Sequence, residues 1–435
     1  MRIAIIGTGI SGMTVAHLLH PEHHLTIFEA GEHIGGHTNT VVVEKEQRSY
    51  PVDTGFIVHN DWTYPNFIQL LQQIGAEAED TEMSFSVSNE GTGLEYNGHD
   101  LNTLFAQRLN LMRPSFWRMI SDILRFNREV VLDEERIEQM TLHDYLQEHR
   151  YSKVFQENYI VPMAAAIWSG STRQIQDFPM RTFIRFFRNH GLLNVANRPQ
   201  WRVIRGGSKA YMEKLTAPFR DRVRLQTPVQ AITRFPTHVE IQTESRGQER
   251  FDLVVLATHS DQALKLLVDP SDSEQEILSS IPYQMNEAVL HQDTRVMPRS
   301  RKAWASWNVR LTPELMERPE HPVAVTYNMN ILQHLPEDEP FLVTLNDSSR
   351  IHPDKILQRI QYAHPVFTEQ GVQAQRRHAE INGVNRTYYC GAYWRYGFHE
   401  DGVVSALNVA RYFGKSLDGD VPIQKPQVAE LRATA

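Results

Sequence analysis

The hydrophobic and polar positions of the first thirty residues predict a strand, a helix and a second strand. Arg2 to Ile6 is a short apolar run suited to a buried strand, and Ile10 to Leu19 has the length and composition of a helix. Leu25 to Glu29 is a second strand-like run, and it ends on a carboxylate. The chain therefore begins with a β–α–β unit.

Two later stretches have the amphipathic period of helices, Ser115 to Val131 and, after Pro179, Arg181 to Arg188. The apolar face of the first comprises Phe116, Ile120, Ile123, Leu124, Val130 and Val131. The opposing arginines are Arg118, Arg125 and Arg128 in the first stretch and Arg181, Arg185 and Arg188 in the second, the latter largely away from Phe183, Phe186 and Phe187. Domain helices with solvated polar faces explain both stretches. The alternative is that these basic and aromatic residues bind a lipid headgroup at the mouth of an apolar pocket.

The turn between the first strand and the first helix has the spacing G-x-G-x-x-G. Gly7 permits the tight turn, Gly9 allows the backbone to approach a pyrophosphate, and Gly12 allows the helix to pack closely on the strand. The helix N-terminus supplies unpaired N–H groups for an anion. Glu29 stands 17 residues after Gly12, near the place where such folds bind a ribose hydroxyl. These features together predict a dinucleotide site.

A second glycine-rich loop follows Glu29 and leads into extended segments rather than a helix. Gly35 and Gly36 lie at an acid-x5-G-G spacing that resembles the flavin monooxygenase-like and amine-oxidase superfamily. Four later segments strengthen the resemblance to amine oxidases, protoporphyrinogen oxidases and phytoene desaturases: 203–215, 225–232, 252–258 and 388–406. His37 replaces the arginine that usually follows the glycine pair, and it supplies a weaker, pH-dependent cation.

The resemblance implies an α/β fold, with a Rossmann-like FAD-binding domain of the GR2 type and an inserted α+β substrate domain. Residues 1–75, 196–285 and 375–415 would form the discontinuous FAD-binding domain, residues 76–195 and 286–374 the substrate domain, and residues 416–435 a polar C-terminal tail.

The cofactor implied is FAD, held without a covalent bond. Cys390 lies inside the final strand, where it is badly placed for a cysteinyl link, and His364 in a His-Pro pair suits a structural role better than a histidyl link. The residues implied to bind FAD are Gly7, Gly9, Ile10, Ser11, Gly12, Glu29, Gly35, Gly36, His37, Thr38, Thr54, Gly55, Phe56, Val229, Thr258, Gly391, Glu400, Asp401, Gly402 and Val403.

Several aromatic residues fall where the family brings side chains to the flavin. The expected substrate pocket comprises Trp168, Trp307, Tyr393, Trp394 and Tyr396, each of which also suits an ordinary core. The polar residues expected near it are His59, Asn60 and His399, with His59 and His399 as candidates for proton transfer. No catalytic base is assigned.

Composition and charge narrow the class of protein. A length of 435 residues suits about two or three domains. The net charge of −8 gives no electrostatic reason to bind nucleic acid. A single cysteine excludes an internal disulfide and favours a reducing compartment, so we expect a cytoplasmic protein. The residues show neither a signal segment nor an apolar run of the roughly 18 to 20 residues that span a bilayer, and peripheral contact with the inner face of the membrane is the remaining membrane hypothesis.

The 20 histidines lack the spacings that aim two side chains at one ion, so no metal site is expected. The overall resemblance extends to bacterial flavin-containing amine-oxidase-like oxidoreductases, including a type that looks like a partner of fatty-acyl methyltransferases of the cyclopropane-synthase kind. Segments 52–58, 64–66 and 394–402 carry that resemblance, with Arg395 where glycine is usual.

The main hypothesis is an FAD-dependent dehydrogenase or desaturase that takes a hydride from a C–H bond of a hydrophobic substrate, such as a fatty-acyl lipid, to flavin N5. One alternative is an amine oxidase that acts on a primary amine or polyamine. A second is a flavin-dependent isomerase without net redox change, and a third is a lipid carrier without catalysis. Oligomeric state stays open.

Overall fold

A computed structural model of the chain describes residues 1–132, 137, 140–336 and 338–424. The expected tail, 416–435, is described as far as Gln424, and its remaining residues lie outside the described part.

The strands are β1 Arg2–Ile6, β2 His24–Phe28, β3 Thr40–Lys45, β4 Arg48–Asp53, β5 Val58–Asn60, β6 Ala78–Thr81, β7 Phe85–Asn89, β8 Leu94–Asn97, β9 Trp201–Ile204, β10 Val223–Arg224, β11 Val229–Arg234, β12 Val239–Thr243, β13 Gly247–Phe251, β14 Leu253–Leu256, β15 Tyr283–His291, β16 Trp307–Leu311, β17 Ala324–Asn328, β18 Leu342–Leu345, β19 Ile356–Pro365, β20 Thr387–Tyr389, β21 Lys415–Ser416 and β22 Gly419–Asp420.

The helices are α1 Ile10–Leu19, α2 Pro65–Gln73, α3 Leu101–Leu104, α4 Pro114–Glu129, α5 Leu142–Glu148, α6 Lys153–Phe155, α7 Val161–Trp168, α8 Thr172–Gln176, α9 Met180–Asn189, α10 Ser208–Thr216, α11 Ser260–Leu266, α12 Asp272–Ser279, α13 Pro313–Glu317, α14 Met329–Leu332, α15 Glu369–Arg376, α16 His378–Ile381 and α17 His399–Ala410. A π-helical turn, Gln156–Ile160, joins α6 to α7, and 3-10 turns include Arg108–Met112 and Ala392–Trp394.

The half of the molecule that the sequence predicts to bind the cofactor, here called the cofactor half, is built on a parallel sheet with the strand order β10-β2-β1-β14-β20. Its strands come from three separate stretches of chain, residues 2–28, 223–256 and 387–389. Central strands such as β1 and β14 are buried along almost their whole length, which explains their continuous apolar sequences. The α/β class is confirmed by this sheet and the helices that pack on it.

The half that the sequence predicts to bind the substrate, here called the substrate half, contains a seven-stranded mixed sheet with the order β19-β15-β18-β17-β16-β7-β8. Helices from α4 to α9 cover its β16 and β7 side, and the core between them includes Phe116, Phe155 and Phe183. A layer of helices on a mostly antiparallel sheet is the α+β arrangement.

The helix predicted from Ser115 to Val131 is present as α4, but its buried face differs from the predicted one. Leu124 and Val131 are 53% and 42% exposed, whereas Met119 and Asp122 are buried. Asp122 is buried because it pairs with arginines of the same helix, 3.2 Å from Arg118. Hydrophobicity alone therefore misassigned two positions, since a paired acid occupies the inner face. In α9 the phenylalanines are buried as predicted.

Candidate cofactor and substrate sites

The glycines of the opening turn have different surroundings. A Cβ on Gly7, whose φ is +102°, would lie 2.6 Å from the carbonyl oxygen of Ala257, and one on Gly12 would lie 2.3 Å from the carbonyl oxygen of Gly7. A Cβ on Gly9, the N-cap of α1, would meet no atom within 4 Å. Gly7 and Gly12 are thus required by packing, while Gly9 borders open space at the N-terminus of a helix. This space fits the pyrophosphate of a dinucleotide.

Glu29 connects the opening turn with the second glycine loop. One carboxylate oxygen accepts hydrogen bonds from the backbone N–H of Thr8, at 3.0 Å, and from its hydroxyl group. The other accepts from the N–H of Gly31, at 2.8 Å, and the N–H of Gly35 donates to the Thr8 hydroxyl at 3.2 Å. Glu29 follows β2 and is only half-buried. Its ribose contact stays a prediction, and the structure adds a role in holding both loops.

The second glycine loop folds back onto the first. Gly35 has a φ of +135°, and a Cβ there would lie 2.4 Å from the Thr38 carbonyl oxygen. A Cβ on Gly36 would lie 3.4 Å from the Gly9 Cα, so the two loops are neighbours. Gly55 is equally tight, since its Cβ would lie 2.2 Å from the His37 carbonyl oxygen.

The closing motif reaches the same place from the other end of the chain. A Cβ on Gly402 in α17 would lie 2.7 Å from the Ile10 side chain and 3.0 Å from the Ser11 hydroxyl oxygen. The N–H of Gly391 donates to the Ser405 hydroxyl at 3.0 Å, which fixes the end of β20 to α17. Val403 is fully buried in the core that includes Ile10. The N-termini of α1 and α17 therefore lie together.

Two of the predicted cofactor residues lie at the edge of this assembly. Thr258 follows β14, and its methyl carbon would be 3.5 Å from a Cβ on Gly7. Val229 begins β11 in a separate antiparallel sheet, β11-β12-β13, and packs against the core that contains Phe28.

His399 is held among polar and aromatic groups behind the second loop. Its Nε2 lies 3.0 Å from the hydroxyl groups of both Thr38 and Tyr211, which are themselves 2.8 Å apart. Its ring stacks on Phe56 with a centroid distance of 3.5 Å. Burial, followed by the nearby His37 and His59, lowers the pKa of His399 well below its ordinary value. The imidazole is therefore neutral at physiological pH.

Phe67 lies close to both His59 and His399. Its ring centroid is 5.3 Å from that of His59 and 5.7 Å from that of His399. Burial, followed by the charge of Arg202, lowers the pKa of His59 to about 4. The two histidines that we proposed for proton transfer thus lie near each other. Each is neutral near pH 7, so a role as a cationic acid is unfavourable for either.

His37 belongs to a further group of rings. Its centroid lies 4.9 Å from Tyr362, 5.4 Å from His364 and 5.9 Å from His259. Burial, followed by His259, lowers the pKa of His37 to about 4. The residue that replaces the usual arginine is therefore uncharged rather than a weaker cation. Thr54 adjoins this group through its hydroxyl, 3.1 Å from that of Tyr362.

The predicted cofactor residues Glu400 and Asp401 contact helix termini. Glu400 accepts hydrogen bonds from Asn66, at 2.6 Å from the side-chain amide, and from the N–H of Phe67, at 2.9 Å, at the start of α2. Asp401 accepts from the N–H groups of Tyr396 and Phe398, at 3.2 and 3.0 Å, before α17. These contacts account for both buried carboxylates. A direct contact with FAD stays a prediction.

Asp53 was missed by sequence reasoning. It accepts hydrogen bonds from Thr40 at 2.6 Å and from the N–H and hydroxyl of Ser208 at 2.8 and 2.7 Å, so it joins the β3-β4 hairpin to the N-terminus of α10. Burial raises the pKa of the Asp53 carboxyl to about 6. The feature of the sequence that could have indicated this role is the position of Asp53 directly before Thr54 and Gly55.

Asp401 predicts a pH dependence of stability. Burial raises the pKa of its carboxyl to about 7. Because the folded protein binds this proton more tightly than the unfolded chain, stability falls as pH rises from about 4 through about 7, and Asp53 acts in the same direction. We expect Asp401→Asn to reduce this loss by about 4 kcal/mol in urea unfolding across that range. The exposed Asp261 gives the control Asp261→Asn, and equal pH dependence in both variants would contradict the assignment.

A small cavity of about 20 Å³ lies between α7, α8 and the segment that follows β19. Its apolar wall includes Trp168, Phe178 and Phe367, and its polar wall includes Gln284 and His364. The described residues that line it include no Asp, Glu, Lys or Arg side chain. The space as it stands is large enough for about one water molecule, and its wall combines apolar side chains with a few polar groups, as in small-molecule sites.

The polar wall fixes the protonation of His364. The side-chain amide of Asn286 lies 2.9 Å from His364 Nδ1, and the Asn286 oxygen already accepts from Asn346 at 2.8 Å and from Gln284 at 3.2 Å. The Asn286 amide N–H therefore donates to Nδ1, and the ring proton is on Nε2. Burial, followed by His37, lowers the pKa of His364 to about 3, so the ring is neutral.

The five aromatic residues predicted for the pocket are not brought together. Trp168, Trp307 and Tyr396 pack against the core of the substrate half, and only Trp168 among the five lines the cavity. Tyr393 and Trp394 are buried in a core of the cofactor half. The reason is the 3-10 turn Ala392–Trp394, which places the Tyr393 ring against Gly391.

Three further expectations concern the single cysteine, metal binding and membrane-spanning helices. Cys390 is a buried free thiol whose pKa is raised by desolvation. Within the described residues, no three His, Cys, Asp or Glu side chains are grouped to hold a metal ion. No helix in the described part of the chain is long and apolar enough to cross a membrane.

Comparison with known proteins gives consistent results. The family model of flavin containing amine oxidoreductases matches residues 10–412. The flavin-containing amine oxidase B of Bos taurus is 22% identical over 281 residues, which are 62% of this chain and 52% of that protein. The chain thus spans about half the length of the curated relative that it matches.

Solved structures match nearly the whole chain. A proposed protoporphyrinogen oxidase from Exiguobacterium sp. 255-15 superposes with a TM-score of 0.67 and 18% identity, over 95% of this chain and 98% of that one. The fatty acid isomerase from P. acnes that produces CLA gives 0.66 and 17% over the same shares. The TM-scores of 0.67 and 0.66 show that both proteins share the fold of this chain.

Proposed function

The chain belongs to the family of flavin containing amine oxidoreductases, and from that premise we propose that it is an FAD-dependent oxidoreductase that takes a hydride from a C–H bond of a hydrophobic substrate. We propose a fatty-acyl lipid as the substrate class, and desaturation or dehydrogenation as the reaction. The observation that carries the proposal is the largely apolar wall at Trp168 and Phe178, whose described residues include no Asp, Glu, Lys or Arg side chain.

Several residues described above have roles in binding or surrounding the cofactor. FAD, when bound, supplies the hydride acceptor. The Gly7 to Gly12 turn and Gly36 provide the space and the N–H groups for its pyrophosphate, and Glu29 holds the two loops together. Thr38 positions His399, and the neutral ring of His399 stacks on Phe56.

The uncharged cavity also bears on the alternatives. An amine is a cation at neutral pH, and burial of a cation without a carboxylate partner is costly. The bovine relative is an amine oxidase by name, so amine oxidation is the second candidate. The P. acnes neighbour is a fatty acid isomerase by name, which makes a reaction without net redox change the third candidate.

We also propose that the protein is cytoplasmic, with peripheral contact at the inner face of the membrane.

Anaerobic reduction of the bound flavin tests the proposal. We expect acyl lipids to bleach the absorbance of oxidised flavin, while amines and NAD(P)H do not. Trp168→Ala should raise KM about tenfold, because removing a pocket aromatic costs about 1 to 3 kcal/mol of binding. Trp307→Ala is the matched control, since Trp307 packs on the same core but does not line the cavity. A similar KM in both variants would contradict the assignment of the cavity.

Other results would select an alternative. Hydrogen peroxide formed from a primary amine or polyamine would make the protein an amine oxidase. A lipid product of unchanged mass would make it an isomerase. Lipid that co-purifies with a flavin that no substrate reduces would leave a carrier without catalysis.

A further inference from the structure

Large apolar side chains are exposed on one surface of the substrate half, which we call the α4 surface. Its apolar members are Leu101, Leu109, Leu111, Met112, Trp117 and Leu124. Leu101 is 75% exposed and Met112 is 82% exposed. Single exposed apolar residues are normal, but a group of this size within 24 residues of chain needs a partner of its own.

Contacts between the elements make this surface continuous. The indole N–H of Trp117 donates to the carbonyl oxygen of Leu111 at 2.9 Å, so α4 is fixed to the 3-10 turn Arg108–Met112. The Trp117 ring also lies 5.5 Å from that of Phe105, which follows α3. Trp117 and Leu124 are seven residues apart and share the exposed face of α4.

The charge of this region is opposite to that of the whole chain. Residues 100–129, which comprise α3, α4 and their connection, include five arginines against Asp100, Asp122 and Glu129, a net charge of +2, whereas the chain carries −8. Asp122 is buried and pairs with Arg118 at 3.2 Å and with Arg125 at 3.5 Å, and Glu129 lies 3.9 Å from Arg128, so these acids offset part of the arginine charge. Arg128 lies on the same face as Leu124 and is 75% exposed.

We propose that the α4 surface docks on the surface of an anionic phospholipid bilayer. The exposed leucines, Met112 and Trp117 would enter the boundary between headgroups and acyl chains, and the arginines would bind the lipid phosphates. A bilayer accounts for both properties, since apolar side chains gain from burial there and positive charges are attracted by anionic headgroups. This inference rests on the peripheral membrane contact proposed above and names the surface that makes it, and it holds whichever substrate reduces the flavin.

Flotation of the full chain with lipid vesicles tests the inference. We expect binding to vesicles of phosphatidylcholine with phosphatidylglycerol, weaker binding to pure phosphatidylcholine, and loss of the difference at high salt. Leu109→Ser with Met112→Ser should lower the affinity for both vesicles at least about tenfold. Arg113→Gln with Arg128→Gln should lower the affinity for the anionic vesicles alone, by about fivefold for each arginine.

The matched control removes exposed apolar residues elsewhere. Val195 and Val268 are 71% and 62% exposed and lie outside the surface, so Val195→Ser with Val268→Ser should bind as the parent protein does. Equal loss in the control variant, or no binding of the parent to anionic vesicles, would overturn the inference. A self-associated form that disappears with Leu109→Ser and Met112→Ser, without vesicle binding, would overturn it in favour of a second copy of the chain.

Discussion

Replacement of Gly9 by alanine should lower the affinity for FAD by about two orders of magnitude while the protein stays folded. The backbone of Gly9 has φ −63° and ψ 173°, which alanine adopts without strain, and its Cβ would meet no protein atom within 4 Å. The methyl group would instead occupy the space into which the pyrophosphate fits. Overpacking of this kind costs about 1 to 3 kcal/mol.

Titration of the apoprotein with FAD, together with urea unfolding without FAD, measures the two effects separately. Gly12→Ala provides the contrast, because its Cβ would lie 2.3 Å from the Gly7 carbonyl oxygen and should destabilise the protein itself. Unchanged FAD affinity in Gly9→Ala would show that the cofactor does not pass over this turn.

Replacement of Glu274 by alanine should destabilise the cofactor half by about 3 kcal/mol, because it leaves the buried Arg234 with only the more exposed Asp269, at 3.1 Å, as a carboxylate partner. The two side chains are 1% and 2% exposed, and they form a bidentate pair at 2.5 and 2.9 Å. The Tyr389 hydroxyl in β20 also donates to Glu274 at 2.5 Å. We therefore expect the loss of Glu274 to weaken the packing of β20 directly before Gly391.

The pH dependence of this pair has a definite sign. Burial acts to raise the pKa of Glu274, but hydrogen bonds from Arg234 and Tyr389 outweigh it, and the pKa is lowered. The stabilisation is therefore complete above the ordinary pKa of a glutamate and is lost as pH falls through the lower folded value.

Urea unfolding of the variants measures both effects. Arg234→Met with Glu274→Leu removes both charges and should regain most of the stability. If the single and double variants were equally destabilised, shape rather than charge would explain the loss.

The sequence predicted most of the elements that rest on local signals. The β–α–β unit with Gly7 and Gly12 is confirmed, because turn geometry and buried strands depend on neighbouring residues. FAD as the cofactor agrees with the family match over residues 10–412. The individual cofactor contacts stay predictions.

What the sequence did not predict depends on distant parts of the chain. Asp53 meets Ser208 across 155 positions, and nothing near either residue indicates the pair. The uncharged state of His37 arises from burial beside His259 and His364, which periodicity does not reveal. The family resemblance predicted Tyr393 and Trp394 for the pocket, but it does not show the direction of their side chains, which the turn Ala392–Trp394 places in a core of the cofactor half.

The origin of the parallel sheet in three stretches of chain has a consequence for biosynthesis. β1 pairs with β14 about 250 positions later, and β20 joins only after residue 387 has been made. Contacts of such separation fold slowly, since loop closure precedes the gain from pairing. During translation, the β–α–β unit leaves the ribosome long before β14 and β20, so a cofactor site that includes both Gly9 and Gly391 forms only after residue 391 has been made. An apoprotein intermediate with exposed sheet edges is therefore the form that chaperones would meet.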